Sequence, residues 1–357
     1  MNPVMFIAGE ASGDSHAAAV IRALGGRVPV FGVGGPKMEA AGMELLFDLT
    51  EHAVVGFIEV LKNYGKFKGF FEQLLGEVGK RQPSAVVLVD FPGFNLRFAK
   101  AVKRRYPQTK VIYYISPQLW AWHASRAEQM ERDVDLLLTI FPFEKAWYAT
   151  RAPRLPVAFV GHPLAEQPPA AGERQAQTIL LLPGSREREV AKLWPVMSRV
   201  VDLLPGEVKF VAAAVNEPMA QMMRHPRVEV EVGTAREWMQ RASLAITASG
   251  TATMECAFAG CPMIVVYKVN WLTYLIGRLL IQVKWLAMPN VIAGRSIVPE
   301  LIQHAARPES VAKLAGELLQ DAGARAAMQG ALAGVVNSLG GPGASARAAE
   351  LIWEKIQ

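Results

Sequence analysis

The sequence is short of the residues that would make it a disulfide-bonded, metal-binding or membrane-spanning protein. It has two cysteines in 357 residues, Cys256 and Cys261. They flank one expected helix and would stand about 7–8 Å apart if it ran through both, which is long for a disulfide. They read as small buried thiols of a reducing compartment. The six histidines show no metal-ligand spacing. One DxD, Asp133-Val134-Asp135, precedes the strand Leu136 to Ile140. It therefore sits at that strand's N-terminal end, opposite the edge where ligands bind in parallel sheets. No window reaches the ~18 apolar residues of a membrane-crossing helix. Val4 to Ala8 has no basic flank before it, unlike a secretory leader. No dense basic run and no nucleic-acid motif accompanies the net charge of +6. That excess suits an anionic membrane surface or phosphorylated substrates better than nucleic acid. The expectation is a cytoplasmic protein with peripheral membrane contact at most, no bound metal and no cofactor.

What is present is apolar and alternating. With 51% hydrophobic residues, a chain of this length can build two cores, and two domains are expected. Val4 to Ala8 reads as a buried strand, followed by the turn Gly9 to Asp14, a helix and a second strand, Val30 to Val33. This is a βαβ unit, but its glycines do not fit the GxGxxG dinucleotide fingerprint. Further apolar strands fall at Ala85 to Val89, Lys110 to Ile115, Leu136 to Ile140 and Ala158 to Val160. The stretch Glu166 to Gln177 is rich in proline, alanine and polar residues and reads as a linker. The alternation then restarts at Thr178 to Leu182 and continues through Val208 to Ala213, Val228 to Val232, Leu244 to Thr247 and Met263 to Val266. An alanine-rich helical end, Ser310 to Gln357, breaks at Gly340-Gly341.

Several turns sit where ligands bind such sheets. Ser249-Gly250-Thr251 opens a helix, where free N–H groups and the helix dipole favour an anion. Gly250 lets a phosphate approach, Thr251 and Thr253 offer hydroxyls, and Glu255 lies one turn in, where a carboxylate suits a ribose diol. An ordinary capped strand–loop–helix has the same pattern. Pro183-Gly184-Ser185-Arg186 is a second phosphate-compatible turn, and Asn290 falls on a polar loop taken to lie beside the first. Asp90 ends a buried strand, as a crevice carboxylate or as a helix cap. Ser12 and Gly13 lie on the first glycine turn. Trp122 and His123, with Trp120, follow the strand Lys110 to Ile115 as candidate cleft residues. Val55, Phe57, Ile58, Leu61, Phe67 and Phe70 interleave with Lys62, Lys66 and Lys68. That pattern suits a membrane-facing or acyl-binding surface, or a helix packed on the sheet. Trp271 to Met288 has a similar character.

The motifs AGEASGD, GVGGPKMEAAG, VDFPGFN, YYISPQLWAWHASR, FPFEKAWY, LLPGSREREV, ASGTATMECAFAGCPMIVVYK and MPNVIAGR occur in this order from Ala8 to Arg295. Together they resemble the lipid-A-disaccharide synthase family, over nearly the whole chain. The resemblance implies an α/β GT-B fold: two Rossmann-like domains, each with a parallel sheet, facing a central cleft. Residues 1–167 would form the acceptor and membrane-contacting domain, residues 168–341 the UDP-sugar domain, and the helix 342–357 would pack back on the first. It implies an inverting hexosyltransferase that moves 2,3-diacylglucosamine from UDP-2,3-diacylglucosamine to 2,3-diacylglucosamine 1-phosphate (lipid X), at the cytoplasmic face of the inner membrane. Asp90 would then be the base. Arg186, Ser185, Gly250, Thr251, Thr253 and Asn290 would stabilise the departing diphosphate without metal, and Glu255 would hold the ribose. His123 departs from the family's usual arginine, and Val55 from its usual methionine. The rival readings are another nucleotide-sugar enzyme on this fold, a MurG-like transferase or a UDP-sugar epimerase, and a non-catalytic binding protein.

Overall fold

In the computed structural model, residues 2–49, 64–166, 173–270 and 282–357 are described, with backbone alone for 64–67. The chain divides into two compact units, residues 1–166 with 339–357, and residues 167–338.

Unit 1 is built from β1 (Val4–Ala8), α1 (Ala11–Leu24), β2 (Val30–Gly34), α2 (Pro36–Ala40), β3 (Glu44–Asp48), α3 (Tyr64–Arg81), β4 (Ala85–Val89), α4 (Pro92–Arg105), β5 (Lys110–Tyr114), α5 (Ala127–Asp133), β6 (Leu136–Thr139), α6 (Pro142–Arg151) and β7 (Val157–Phe159). Its seven strands run in the order β3-β2-β1-β4-β5-β6-β7, and every pairing is parallel. Parallel strands are covered on both faces and so read as unbroken apolar runs. β1 and β4, VMFIA and AVVLV, are buried at every position. α4 opens with proline at its first turn, where the missing N–H costs nothing. Its Phe94, Phe98 and Val102 recur every four residues and pack into the same core as Met5, Ile7, Val86 and Tyr113.

Unit 2 contains β8 (Gln175–Leu182), α7 (Glu187–Leu203), β9 (Lys209–Ala214), α8 (Glu217–Met222), β10 (Val228–Val232), α9 (Ala235–Arg241), β11 (Ala242–Ala248), α10 (Thr251–Phe258), β12 (Met263–Tyr267), α11 (Met288–Ala293), β13 (Glu300–Ile302), α12 (Pro308–Gln320) and α13 (Ala322–Ser338). Its six strands are ordered β10-β9-β8-β11-β12-β13, again all parallel. Ile179 to Leu182, Val211, Leu244, Ile246 and Val265 form the sheet's share of its core.

The last helix, α14 (Ala344–Ile356), belongs to unit 1. Its Ala344, Ala348, Ala349 and Ile352 are buried. The Arg27 guanidinium on the α1 side donates to both Glu350 oxygens, at 2.7 and 3.1 Å. Glu166 accepts from the Ser345 backbone N–H and hydroxyl.

The helix does not run through both cysteines. α10 stops at Phe258, and Gly260 takes a left-handed φ of 61°. Cys261 N–H then donates back to Cys256 O at 2.8 Å and Gly260 N–H to Ala257 O at 3.0 Å. This paired closure of a helix end folds the residue after the glycine onto the last turn, and the buried Cys261 thiol points to the carbonyls of Ala242 and Pro262.

Candidate functional site

In an open parallel sheet, ligands bind outside the C-terminal strand ends, where the strand order reverses. In unit 1 that point lies between β1 and β4, and in unit 2 between β8 and β11. The segments that follow these four strands, loop or helix start, carry Ser12, Gly13, Asp90, Ser185, Arg186, Gly250, Thr251, Thr253 and Glu255.

At the unit 1 reversal, Asp90 follows β4 directly. Asp90 and Phe91 both hold left-handed backbones, with φ of 48° and 49°. Consecutive non-glycine residues in this region are costly and cluster at functional sites. Asp90 N–H extends the β4–β5 ladder to Tyr114 O at 2.9 Å. Its carbonyl accepts from Tyr113 Oη at 2.6 Å and Asn95 Nδ2 at 2.8 Å. Burial, and next the negative charge of Glu10 on the β1–α1 loop, push the half-buried Asp90 carboxyl up to about 6, against a smaller opposing pull from the Phe91 N–H. Glu10 was not singled out from sequence; its position inside AGEASGD is the only signal it left. The adjoining Gly9 is a glycine for a packing reason, because a Cβ there would stand 2.4 Å from the Phe91 ring.

Ser12 and Gly13 lie within the first turn of α1, not on the turn before it. Ser12 is exposed and Gly13 buried. The aspartate of that stretch has a structural use: buried Asp14 accepts from Gly35, Lys37 and Met38 N–H groups and caps α2. The tryptophans separate. Trp120 is buried and its Nε1 donates to Glu144 Oε1 at 3.1 Å, so it is withdrawn from the candidate cleft wall. Trp122 is 48% exposed and its ring lies 4.6 Å from that of His123, a residue with φ of 61°. Glu144 itself is fully buried, and burial pushes its carboxyl up to about 8 against its hydrogen bonds. The aspartates of the DxD lie where the sequence placed them, ahead of β6, with Asp135 accepting from Val111 N–H and paired with Lys103.

Of the candidate membrane-facing residues, Val55, Phe57, Ile58 and Leu61 lie outside the described residues, as does the side chain of Phe67. Phe70 is described, and its packing accords with the alternative of a helix packed on the sheet. Its half-buried ring sits 5.2 Å from Phe47 and 6.2 Å from Phe94, packed in an aromatic cluster against the unit 1 core.

At the unit 2 reversal, Gly250 precedes α10, and no heavy atom lies within 4 Å of where its Cβ would be. Packing therefore does not require glycine there. Thr251 is exposed at the first helical position. Thr253 must be removed from the anion-binding set: it is fully buried and its hydroxyl donates to Gly250 O at 2.8 Å. Glu255 is half-buried, and burial raises its carboxyl above the ordinary range while Arg236 pulls it down. Across the reversal, the α7 turn is already occupied. Glu189 Oε2 accepts from Ser185 N at 3.0 Å and Arg186 N at 3.4 Å, so these backbone donors serve the fold. The Ser185 side chain and the Arg186 guanidinium, 70% exposed and paired with Glu189 Oε1 at 3.5 Å, are what this turn offers a phosphate.

Asn290 is the clearest correction. It lies in α11 with no exposed surface. Its Nδ2 donates to Val298 O and Glu300 Oε1, and its Oδ1 accepts from Ile297 and Val298 N–H groups. All four of its hydrogen-bonding sites are used internally, and none is left for a diphosphate.

A family model described as lipid-A-disaccharide synthetase matches residues 4–350. The chain belongs to the lipid-A-disaccharide synthetase family. Curated lipid-A-disaccharide synthases resemble it end to end. That of Geobacter sulfurreducens is 37% identical, covering 99% of this chain and 97% of its own length. That of Anaeromyxobacter dehalogenans is 39% identical, covering 97% and 96%. As a member of this synthetase family the chain is a glycosyltransferase that uses a UDP-sugar. Solved structures agree on the fold. A Staphylococcus aureus MnaA–UDP complex aligns with a TM-score of 0.68 at 15% identity, covering 100% of this chain and 98% of that one. The kitacinnamycin glycotransferase aligns at 0.64 and 16%, covering 100% and 99%. These likenesses establish the GT-B fold of two parallel-sheet α/β domains. They do not separate the chemistries, since UDP-N-acetylglucosamine 2-epimerases share the fold. Family membership makes that separation. Among the described residues no helix is long and apolar enough to cross a membrane.

Proposed function

We propose that this synthetase transfers 2,3-diacylglucosamine from UDP-2,3-diacylglucosamine to the 6-hydroxyl of 2,3-diacylglucosamine 1-phosphate. The products are the β-1,6-linked disaccharide 1-phosphate and UDP. The donor is α-linked and the product β, so a single displacement inverts the anomeric centre. The O6–C1 bond forms as the bond from C1 to the diphosphate oxygen breaks. The electron pair leaves with UDP, and the O6 proton passes to a base. The observation that carries this reading is Asp90, a half-buried carboxylate on a doubly left-handed turn at the unit 1 reversal, with its pKa raised to about 6. A base poised just below neutral pH is ionised and still a competent proton acceptor.

Unit 2 holds the donor. The Arg186 guanidinium, the Ser185 hydroxyl and the N-terminus of α10 at Gly250 and Thr251 receive the diphosphate. Glu255 accepts hydrogen bonds from the ribose diol. Ser12, Trp122 and His123 border the acceptor in unit 1; Gly13, being buried, does not. The aromatic and basic sequences Val54 to Phe71 and Trp271 to Met288, largely outside the described residues, are suited by composition to acyl chains and to peripheral contact with the cytoplasmic face of the inner membrane. Mass spectrometry of the products tests the reading, with the UDP-diacylglucosamine offered with and without the acylated 1-phosphate acceptor. A disaccharide 1-phosphate formed only with acceptor supports it. An altered UDP-sugar formed without acceptor overturns it in favour of an epimerase.

A further inference from the structure

Two buried side chains spend their donors on one backbone oxygen. Tyr113, at zero exposure on β5, directs its hydroxyl to Asp90 O at 2.6 Å. Asn95, also at zero exposure on α4, gives its Nδ2 to Asp90 O at 2.8 Å and to Val89 O at 3.2 Å. The other end of the Asn95 amide, Oδ1, is buried with no hydrogen-bond partner. An orphaned buried acceptor carries a desolvation cost, and each left-handed non-glycine residue adds a steric one. A glycine at the strand end would avoid the second cost, and an apolar residue at 95 the first. A third contact bears on the same turn, since the Phe91 ring closes over Gly9 so tightly that no side chain fits there. The fold thus accepts several local penalties at the residue that carries the candidate base.

We infer that Tyr113 and Asn95 are positioning residues: together they clamp the Asp90 carbonyl inward and so hold the left-handed turn that presents the Asp90 carboxylate to the acceptor hydroxyl. The inference rests on the reading of Asp90 as the base. The clamp acts on orientation rather than on substrate, because neither side chain has exposed surface with which to touch one. Loss of either donor lets the turn relax toward an ordinary backbone and moves the carboxylate off the line of proton transfer. Misplacement of a reacting group by about 1 Å can cost on the order of 100-fold in rate.

The experiment is a pair of double-mutant cycles on the full chain, with Tyr113→Phe and Asn95→Leu each made alone and in an Asp90→Asn background. Folding is checked by thermal melting and UDP affinity by calorimetry. Each single variant is expected to lower kcat by about 10- to 100-fold, with donor KM and UDP affinity within about threefold of the parent. In the Asp90→Asn background the same changes should lower the residual kcat by no more than about twofold, because the group they position is already disabled. An equal fall in both backgrounds, or no fall in the parent while Asp90→Asn is inactive, overturns the clamp and leaves the base assignment standing. Near-parental turnover of Asp90→Asn itself overturns the base assignment, and the clamp with it. Tyr113→Phe removes one atom and leaves the ring in the core, so it keeps the test decisive if Asn95→Leu does not fold.

Discussion

At Asp90 the fold holds a carboxyl where its charge is poorly solvated, and this sets activity against stability. The folded pKa, about 6, lies above the unfolded value near 3.8. The neutral form is therefore favoured by folding. Its stabilisation is fully present below the unfolded value and is lost as pH rises through about 6. Above that, the ionised group is a net cost of up to about 2–3 kcal/mol. Asp90→Asn should melt higher than the parent at neutral pH, with the gain shrinking toward about pH 4. Asparagine also tolerates a left-handed φ well. The same variant should lose about 10²- to 10⁴-fold in kcat while keeping its UDP affinity, and turnover within about threefold of the parent would refute the base role. The acid limb of kcat/KM should fall near pH 6, and Glu10→Gln should move it downward, because one negative charge beside Asp90 is gone. Glu255→Ala should raise the donor KM by about 10- to 100-fold with a smaller effect on kcat, because ribose contacts are alike in ground and transition states. Normal donor KM with a large fall in kcat would count against the ribose assignment. At this scale sequence shows where a polar residue falls in the chain but not what it touches. Asp90 and Gly250 follow apolar strands, so their edge was legible. Asn290, Thr253 and the Ser185–Arg186 N–H groups were misread because their partners, Glu300, Gly250 O and Glu189, are set by the packing of neighbouring segments or by local helix geometry.

Among the elements, α10 closes the fold at its C-terminus and, on the proposed reading, meets the donor at its N-terminus. Its C-terminus is closed by the backbone N–H groups of Gly260 and Cys261, and its N-terminus opens on the sheet reversal at Gly250. Gly250 has an extended backbone and empty space around its absent Cβ. Gly250→Ala should therefore leave stability within about 0.5 kcal/mol of the parent. If a diphosphate approaches this backbone, the added methyl should weaken UDP binding by about tenfold or more, measured by calorimetry. Unchanged UDP affinity would remove the α10 turn from the donor site. The central strands of both sheets were legible because strands covered on both faces must be continuously apolar, whereas the short edge strand β13 was missed. β3, with exposed Glu44 and Phe47, lacks that signature and was missed. So was the break at Asp321 that separates α12 from α13, where the aspartate side chain caps Ala324 N–H at 2.8 Å. Alanine-rich sequence shows helix but hides such a boundary.

For the whole molecule the decisive feature is that unit 1 is discontinuous. An alanine-rich tail gives no sign of which sheet its last helix will join; Arg27, Glu166 and the small residues of α1 decide that. Ile352 is fully buried on α14. Ile352→Ala should destabilise unit 1 by about 2–4 kcal/mol, seen in denaturant unfolding, with UDP affinity unchanged. Loss of UDP affinity in the folded variant would show that α14 serves unit 2 as well. The discontinuity also bears on how the chain is made. Arg27 meets a partner 323 residues further along. At ribosomal rates of about 5–20 residues per second, the flank of α1 that receives α14 stays uncovered for roughly 15–60 s, while all of unit 2 is translated and free to fold. Unit 2 is contiguous and has no such wait. The first-made part of the protein is thus the last to be completed, and the interval in which nascent chains can aggregate or recruit chaperones belongs to the unit that carries Asp90.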